Sequence, residues 1–267
     1  PLSTPALEHL AAGEHHGRVQ SPRREPPIPV SHRLLRRDED QYMALRDWVA
    51  TVATPESNLL DVGAGDGDDH YASLIRPLVA RMVGVDPSAS GGTNPALDEA
   101  HAETVESFAA HNAGRFDVGL AVYVAEHVAE PEAFLRACRS CLEPGGSLFV
   151  LTPNLWHYFG LAARAVTALG IDDQLLRLLR AKRPGHDHVA HFAVSYRMNT
   201  AYALARQGAA AGFASLEIAH LENPSVFETY FPGRLALLPQ AYAYVVHGLG
   251  RGGAFGTLLC RLVNAAG

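Results

Sequence analysis

The stretch "LLDVGAGDGDDH", residues 59–70, decides the fold of this chain. An apolar run ends in an acid, Asp61, and three glycines follow at every second position, at Gly63, Gly65 and Gly67. A tight turn needs only one or two glycines, so three of them directly after a strand indicate a backbone that a ligand approaches closely. The stretch therefore predicts a ligand-binding turn at the end of a buried strand.

Strand-like and helix-like segments alternate downstream of this turn. Four apolar segments are typical of buried strands: residues 57–63, 81–86, 115–124 and 146–153. Helical patterns lie between them, at 68–80, in short pieces within 94–111, and at 130–142. The alternation predicts an α/β fold with a Rossmann-like, doubly wound and mostly parallel sheet that carries helices on both faces.

The chain divides into an arm and one large domain. Residues 1–37 are rich in proline, which forbids regular structure, and we expect a flexible N-terminal arm there. Residues 38–267 form the predicted domain and begin with a helix over 38–52. The strand pattern breaks off at about 154–195, which predicts an inserted helical cap before a further helix and strand complete the sheet.

Composition narrows the class of protein. The 267 residues are 48% hydrophobic and 19% charged, as in ordinary soluble enzymes, and the net charge of −6 argues against a broad nucleic-acid surface. We found no apolar run long enough to span a bilayer. Three cysteines and no signal-like start predict a cytoplasmic location. The oligomeric state stays open, with a homodimer among the expected partners.

Two clusters of side chains are candidate metal sites. Cys138 and Cys141 form a C-x-x-C pair, but inside a helical pattern and without the second pair that a zinc site needs. The segment "HDHVAH", with Asp187 and histidines that include His188 and His191, could ligate a divalent ion or line a substrate pocket. We favour structural or substrate-lining histidines and predict no bound metal.

The spacing of the glycines disfavours a dinucleotide. A dinucleotide fingerprint needs glycine at the sixth position from Gly63, where this chain has Asp68. Acids crowd the same turn and would repel a pyrophosphate, whereas a cationic ligand tolerates them. The next strand ends in Asp86, and an acid there can accept hydrogen bonds from both hydroxyls of an adenosine ribose.

Four ordered blocks carry a resemblance to a known family: "LLDVGAGDG", "VGVDPS", "FDVGLAVYVAEHV" and "PEAFLRACRSCLEPGGSLFVLTPN". Together they resemble the class I S-adenosylmethionine-dependent methyltransferases over about residues 58–221. The last two blocks are similar to the small-molecule branch that includes quinone-biosynthesis methyltransferases.

The resemblance implies a cofactor site. Asp61 would face the amino group of the methionine part, Asp86 would hold the ribose, and His101 stands where the family often has an aspartate that contacts adenine. The full set of expected cofactor-binding residues is Asp61, Gly63, Ala64, Gly65, Gly67, Asp86, Pro87, Ala102, Glu103, Ala121 and Val122.

On the acceptor side, His127 is a candidate base because an imidazole accepts protons near neutral pH, although it could instead cap or shape the local structure. The aromatic residues after the last of the four strands either line an acceptor pocket or fill a core. Expected substrate-binding residues are Tyr123, Trp156, His157, Tyr158, His188 and His191.

These features predict a methyltransferase that uses S-adenosylmethionine, releases S-adenosylhomocysteine and acts on a small, partly hydrophobic acceptor. A natural product, a quinone-like ring and a lipid intermediate all fit, and oxygen is the favoured acceptor atom. The alternatives are transfer to nitrogen or carbon, a nucleotide-dependent reductase, and a relative that binds cofactor without turnover. An RNA methyltransferase is disfavoured by the acidic balance.

Overall fold

The protein is described by a computed structural model that covers residues 26–35, 39–65, 70–88, 94–168, 194–225 and 233–266. Its centre is a single eight-stranded sheet. In chain order the strands are β1 (Val30–Leu34), β2 (Asn58–Val62), β3 (Arg81–Val85), β4 (Glu99–His101), β5 (Phe116–Val122), β6 (Leu142–Pro153), β7 (Ser215–Leu221) and β8 (Thr257–Val263).

The strand order places β2 at the point where the winding of the sheet reverses. The order is β1-β7-β8-β6-β5-β2-β3-β4, and only β8 runs antiparallel to its neighbours. β2 pairs with β3 on one side and with β5 on the other. In open α/β sheets ligands bind beyond the carboxyl ends of strands at such a reversal, so the glycine-rich turn after β2 lies where a ligand is expected.

The described helices cover both faces of the sheet, as predicted. They are α1 (Gln41–Val49), α2 (His70–Ile75), α3 (Val105–Ala109), α4 (Pro131–Cys141), α5 (Tyr158–Ala168), α6 (Ala201–Ala211) and α7 (Leu237–Gly248). One apolar cluster joins α3, α4 and α6 to the sheet, and a second joins α1 and α2 to the opposite face. β2, β3 and β5 are therefore almost wholly buried, because both of their faces are covered.

Three strands differ from the sequence-based interpretation, and one of them, β8 (Thr257–Val263), has no predicted counterpart. Val30–Leu34, assigned to the flexible arm, is the edge strand β1 and pairs with β7. Pro29 does not prevent this, because its carbonyl accepts a hydrogen bond from Leu216 N at 3.0 Å. Glu99–His101 lies within 94–111, where only short helical pieces were predicted, and pairs with β3 as the short strand β4. The rest of the arm lies largely outside the described residues.

The inserted cap is described only in part. Its first helix is present as α5, and residues 169–193 lie outside the described ranges. The cap as a unit, with bounds at about 154–195, therefore stays a prediction.

The cysteines are consistent with a structural role. Cys138 and Cys141 lie in α4, and both thiols are buried and unpaired. Burial raises the pKa of the Cys141 thiol to about 11 and holds the pKa of the Cys138 thiol well above its ordinary value, so both remain protonated near neutral pH. Within the described ranges, no helix is long and apolar enough to cross a membrane.

Candidate functional site

The glycine turn after β2 has a left-handed backbone. Gly63 has φ of +79° and Gly65 has φ of +58°, and Gly63 N donates a hydrogen bond to Val85 O at 2.7 Å. A Cβ atom on Gly63 would lie 2.2 Å from Val124 Cγ2. Packing within the chain therefore requires glycine at position 63, in addition to any contact with a ligand. Gly67 lies outside the described residues.

Asp86 joins the end of β3 to this turn. Its Oδ2 accepts a hydrogen bond from Gly65 N at 3.0 Å, and its Oδ1 accepts from Ser88 N at 2.7 Å and Ser88 Oγ at 2.6 Å. Asp86 N donates to His101 O at 3.0 Å, which draws the end of β4 alongside. The half-buried carboxylate is thus fixed beside the glycines, at the end of the strand that pairs with β2.

Three further predicted cofactor residues lie near Asp86. Pro87 and Ala102 are exposed and Glu103 is half-buried, and all three lie at the ends of β3 and β4. Glu103 Oε2 accepts a hydrogen bond from Ser107 Oγ at 2.6 Å. The backbone of Ala102 and the carboxylate of Glu103 are therefore close to the strand end where the resemblance expects adenine.

Asp61 is fully buried at the carboxyl end of β2. Tyr71, from α2, donates its hydroxyl to both carboxylate oxygens, at 3.2 Å to Oδ1 and 3.1 Å to Oδ2. A hydrogen bond to a charged group contributes about 1.5–3 kcal/mol, so Tyr71 stabilises the ionised acid and fixes its direction. Sequence analysis did not single out Tyr71.

The end of β5 lies beside the end of β2 and belongs to the same candidate site. Ala121 and Val122 are buried, and Tyr123 follows with a φ of +55°, which is uncommon for a residue other than glycine. Tyr123 donates its hydroxyl to Gln41 Oε1 at 2.6 Å and so joins β5 to α1. Burial, with smaller contributions from Tyr42 and Glu126, raises the pKa of Tyr123, which keeps the phenol protonated.

A buried polar network follows Tyr123. Glu126 Oε2 accepts a hydrogen bond from Thr152 Oγ1 at 3.1 Å, and Thr152 Oγ1 accepts from Asn199 Nδ2 at 2.6 Å. Burial raises the pKa of Glu126. The neighbouring His127 is half-buried, and its backbone N donates to Val124 O at 2.9 Å. Glu126 lies in the quoted "AEHV" block but was not predicted as a site residue.

A second cluster, made of buried polar and aromatic side chains, lies just beyond the ends of β6 and β7. His157 Nε2 is 3.5 Å from Glu222 Oε1, and both side chains are almost completely buried. Gly256 N donates to Glu222 Oε2 at 2.6 Å. The ring of Tyr158 packs edge-on against that of Tyr242, with centroids 4.7 Å apart. Burial and Glu222 together raise the pKa of each of these tyrosines to about 12.

The predicted acceptor residues thus differ in setting. His157 is buried and Tyr158 half-buried, whereas Trp156 has 61% of its surface exposed. His188 and His191 lie outside the described residues. In the part of the chain that the structure describes, no three metal-ligating side chains come together in a way that could hold an ion. The sequence patterns did not single out Glu222 or Tyr71. Glu222 lies far along the chain from His157, and Tyr71 lies across the glycine turn from Asp61.

A separate groove of about 680 Å³ runs between α3 and α4. Its lining is Glu106, Ala109, Ala110, Glu130, Glu132, Ala133, Arg136, Ala137 and Ser140. None of these is a predicted cofactor or acceptor residue, and none lies at the ends of β2, β3 or β5. The strand ends are therefore the better candidate site.

Comparison with known proteins agrees with this geometry. A family model described as "Methyltransferase domain" matches residues 35–218. The chain belongs to this methyltransferase family. The match includes the strands β2 to β6, the glycine turn and Asp86, and it extends into β7.

This methyltransferase is similar in sequence to a ubiquinone biosynthesis O-methyltransferase from Caulobacter vibrioides. The two are 36% identical over 115 residues, which are 41% of this chain and 46% of the relative. The chain therefore spans less than half the length of this curated relative, and the similarity concerns the part of the domain that is shared.

Solved structures confirm the fold. A SAM-dependent methyltransferase from Archaeoglobus fulgidus aligns with a TM-score of 0.52 at 13% identity, over 84% of this chain and 92% of that one. A geranyl diphosphate C-methyltransferase from Streptomyces coelicolor, solved with Mg²⁺, geranyl-S-thiolodiphosphate and S-adenosylhomocysteine, also aligns with a TM-score of 0.52 at 13% identity, over 84% of this chain and 76% of that one. The predicted Rossmann-like class I methyltransferase fold is thus confirmed.

Proposed function

We propose that this methyltransferase transfers a methyl group from S-adenosylmethionine to a small, partly hydrophobic, quinone-like acceptor, with oxygen as the receiving atom. The observation that carries the proposal is the fixed carboxylate of Asp86 beside the left-handed turn at Gly63 and Gly65. A ribose and the methionine part of one ligand would meet these groups at adjacent strand ends. The acid-rich turn suits a sulfonium cation better than a pyrophosphate.

The proposed roles follow the order of the strand ends. Asp61, fixed by Tyr71, would receive the amino group, directly or through water, and Asp86 the ribose. Ala102 and Glu103 would contact adenine, and the backbone at Ala121 and Val122 would flank the sulfur. Ala64, Gly67 and Pro87 complete the proposed cofactor residues.

S-adenosylmethionine supplies an activated methyl group, which an acceptor oxygen attacks in line as the carbon–sulfur bond breaks. The protein has to align the two, an effect that can reach about 7–11 kcal/mol. An acceptor hydroxyl must also lose its proton. His127 is the proposed base because it follows β5, whose end would flank the sulfur.

The acceptor is proposed to lie over the ends of β5 and β6, against Tyr123, His157 and Tyr158. Apolar ring surfaces with a few fixed polar groups suit a bulky aromatic acceptor. The oxygen preference rests on the O-methyltransferase that shares residues with this chain. A natural-product acceptor of the same chemistry is included in this proposal. Trp156, with His188 and His191, would extend the pocket.

The first experiment measures cofactor binding by calorimetric titration. Calorimetry of the protein with S-adenosylmethionine, S-adenosylhomocysteine and NADH should give micromolar binding of the two sulfur compounds and none of NADH. Turnover should then be followed as methyl transfer from labelled S-adenosylmethionine to catechol and to its amine analogue. Binding of NADH alone would overturn the cofactor, and transfer only to the amine would overturn oxygen as the receiving atom.

His127→Ala provides the test of the base. Cofactor affinity should stay unchanged while turnover falls about a hundredfold, since general-base catalysis contributes at least that factor. Equal turnover by the variant and the wild type would remove His127 from this role.

The proposal also covers the cellular location, nucleic-acid binding and the oligomeric state. A cytoplasmic location is supported by three cysteines that are all free thiols. The absence of nucleic-acid binding rests on the acidic net charge of −6. Equilibrium sedimentation would decide between monomer and homodimer.

A further inference from the structure

Helix α7 turns an apolar face to solvent. Its inner side is made by Pro239, Ala243 and Val246, which are buried. On the outer side the exposed fractions are 67% for Leu237, 53% for Leu238, 71% for Tyr244 and 54% for Val245, and Leu249, directly after the helix, is 61% exposed. These five side chains recur at helical spacing and form one stripe. The helix is therefore apolar on both sides, whereas a surface helix usually turns polar residues to water.

Exposed apolar side chains also lie at the start of a neighbouring helix. Tyr158 of α5 contacts Tyr242 of α7, so the two helices adjoin. Trp156, just before α5, and Leu161 within it are exposed by 61% and 44%. We call these residues and the α7 stripe the α5–α7 surface. Monomeric soluble proteins rarely expose so many large apolar groups together, which indicates that something covers them.

Within residues 233–266, which contain α7, the charged side chains have one sign. Arg234 and Arg251 are exposed on either side of α7, and residues 233–266 contain no Asp or Glu. Among the described residues, neither arginine makes an ion pair. The chain as a whole has a net charge of −6, so this cationic rim is a local feature.

This combination distinguishes two kinds of partner. In a two-fold dimer the same patch meets itself, and the arginines would face a surface without carboxylates. An anionic bilayer offers hydrocarbon for leucines, an interface for Trp and Tyr, and phosphates for arginines. Each group in the α5–α7 surface has a counterpart in such a bilayer.

We propose that the α5–α7 surface binds the face of an anionic lipid membrane, with α7 lying in the plane of the interface. The leucines and Tyr244 enter the boundary between headgroups and acyl chains, and Arg234 and Arg251 contact lipid phosphates. The association is peripheral, because α7 has only the 12 residues Leu237–Gly248 and its other side is packed on the protein.

The test is co-sedimentation of the full chain with vesicles, without cofactor or acceptor, so the result does not depend on the proposed reaction. Vesicles of phosphatidylcholine alone are compared with vesicles of equal parts phosphatidylcholine and phosphatidylglycerol. Wild type should bind the anionic vesicles more strongly, and added salt should weaken that preference. Each of Arg234→Gln and Arg251→Gln should lower binding to anionic vesicles about fivefold.

The apolar contribution is tested with Leu237→Gln combined with Tyr244→Gln, which should reduce binding to both kinds of vesicle more than tenfold. The matched control is Tyr202→Gln on α6, where another exposed aromatic (52%) lies outside this surface, and its binding should not change. Thermal unfolding of each variant checks that these exposed substitutions leave the fold intact.

Three results would overturn the proposal. The first is a wild type that does not sediment with anionic vesicles, and the second is an α7 double variant that binds as well as wild type. The third is a dimer, seen by sedimentation velocity without lipid, that the Leu237 and Tyr244 substitutions dissociate. That outcome would assign the surface to a second copy of the chain.

Discussion

The hydroxyl of Tyr71 donates to both carboxylate oxygens of Asp61, at 3.2 and 3.1 Å, in a fully buried setting. The pair connects the first strand end of the candidate site to the helix that follows the glycine turn. Asp61 therefore has a fixed direction before any ligand arrives. That arrangement stabilises an acid which would otherwise be costly to bury in its charged form.

Tyr71→Phe should weaken binding of S-adenosylhomocysteine about tenfold, because Asp61 loses a donor that holds it towards the amino group. Methylthioadenosine lacks the amino acid part and should bind the variant and the wild type equally. Calorimetry with both ligands makes the measurement, and Tyr202→Phe serves as the control. An equal loss for the two ligands would mean that Tyr71 supports the fold rather than the direction of Asp61.

Asp86→Ala should weaken both ligands alike, since each carries the ribose. The expected loss is at least tenfold, from charged hydrogen bonds that contribute about 1.5–3 kcal/mol. Glu56→Ala, at an exposed acid before β2, should leave both affinities unchanged. Undiminished binding by the Asp86 variant would contradict the proposed ribose position.

Gly63→Ala should lower the free energy of unfolding by more than about 2 kcal/mol, because it adds strain at a positive φ and a clash with Val124. Two glycines separate these causes. Gly114 has a φ of +63° but open space around its Cβ direction, so Gly114→Ala should show only the backbone cost. Gly253→Ala has neither problem and should be near neutral. Urea unfolding of the three variants checks the order.

Acid should destabilise the edge of the sheet through His220. Its Nε2 lies 3.0 Å from Nδ1 of His32 on β1, and burial, together with His32, lowers the pKa of His220 from 6.5 to about 4. The neutral form is favoured in the folded state. Stability is therefore complete above pH 6.5, declines as the pH falls towards 4, and loses about 3 kcal/mol in total.

The measurement for His220 is urea unfolding at a series of pH values, for wild type and for His220→Gln. Subtracting the two curves removes the contribution of the carboxylates that both proteins share. The difference should change between pH 6.5 and 4 and be level above that window. Parallel curves throughout would show that His220 titrates normally in the folded protein.

The sequence predicted the strands β2, β3, β5 and β6 because each is a continuous apolar run, as a strand buried on both faces must be. It did not predict β8. Thr257–Val263 is equally apolar, but it follows the apolar helix α7, and periodicity alone does not separate a short buried strand from a helical segment. β1 was not predicted because the prolines that precede it disfavour regular structure.

The glycines and Asp86 could be located from sequence because strand, turn and acid follow one another along the chain. The contacts that support them could not. Tyr71 lies 10 residues from Asp61 across the turn, and Val124 meets Gly63 only because β2 and β5 pair in the sheet. Such contacts depend on strand order and register, which local patterns do not encode.

The position of β8 has a consequence for how the protein is made. β8 is the last of the described strands along the chain, yet it lies between β6 and β7 and is the link through which β7 and β1 join the rest of the sheet. During synthesis, β1 leaves the ribosome first and cannot take its final place until some 220 further residues have emerged. A nascent chain halted before Thr257 would hold the glycine turn and Asp86 on a half-sheet whose open edge, β6, is a ready site for pairing with another chain.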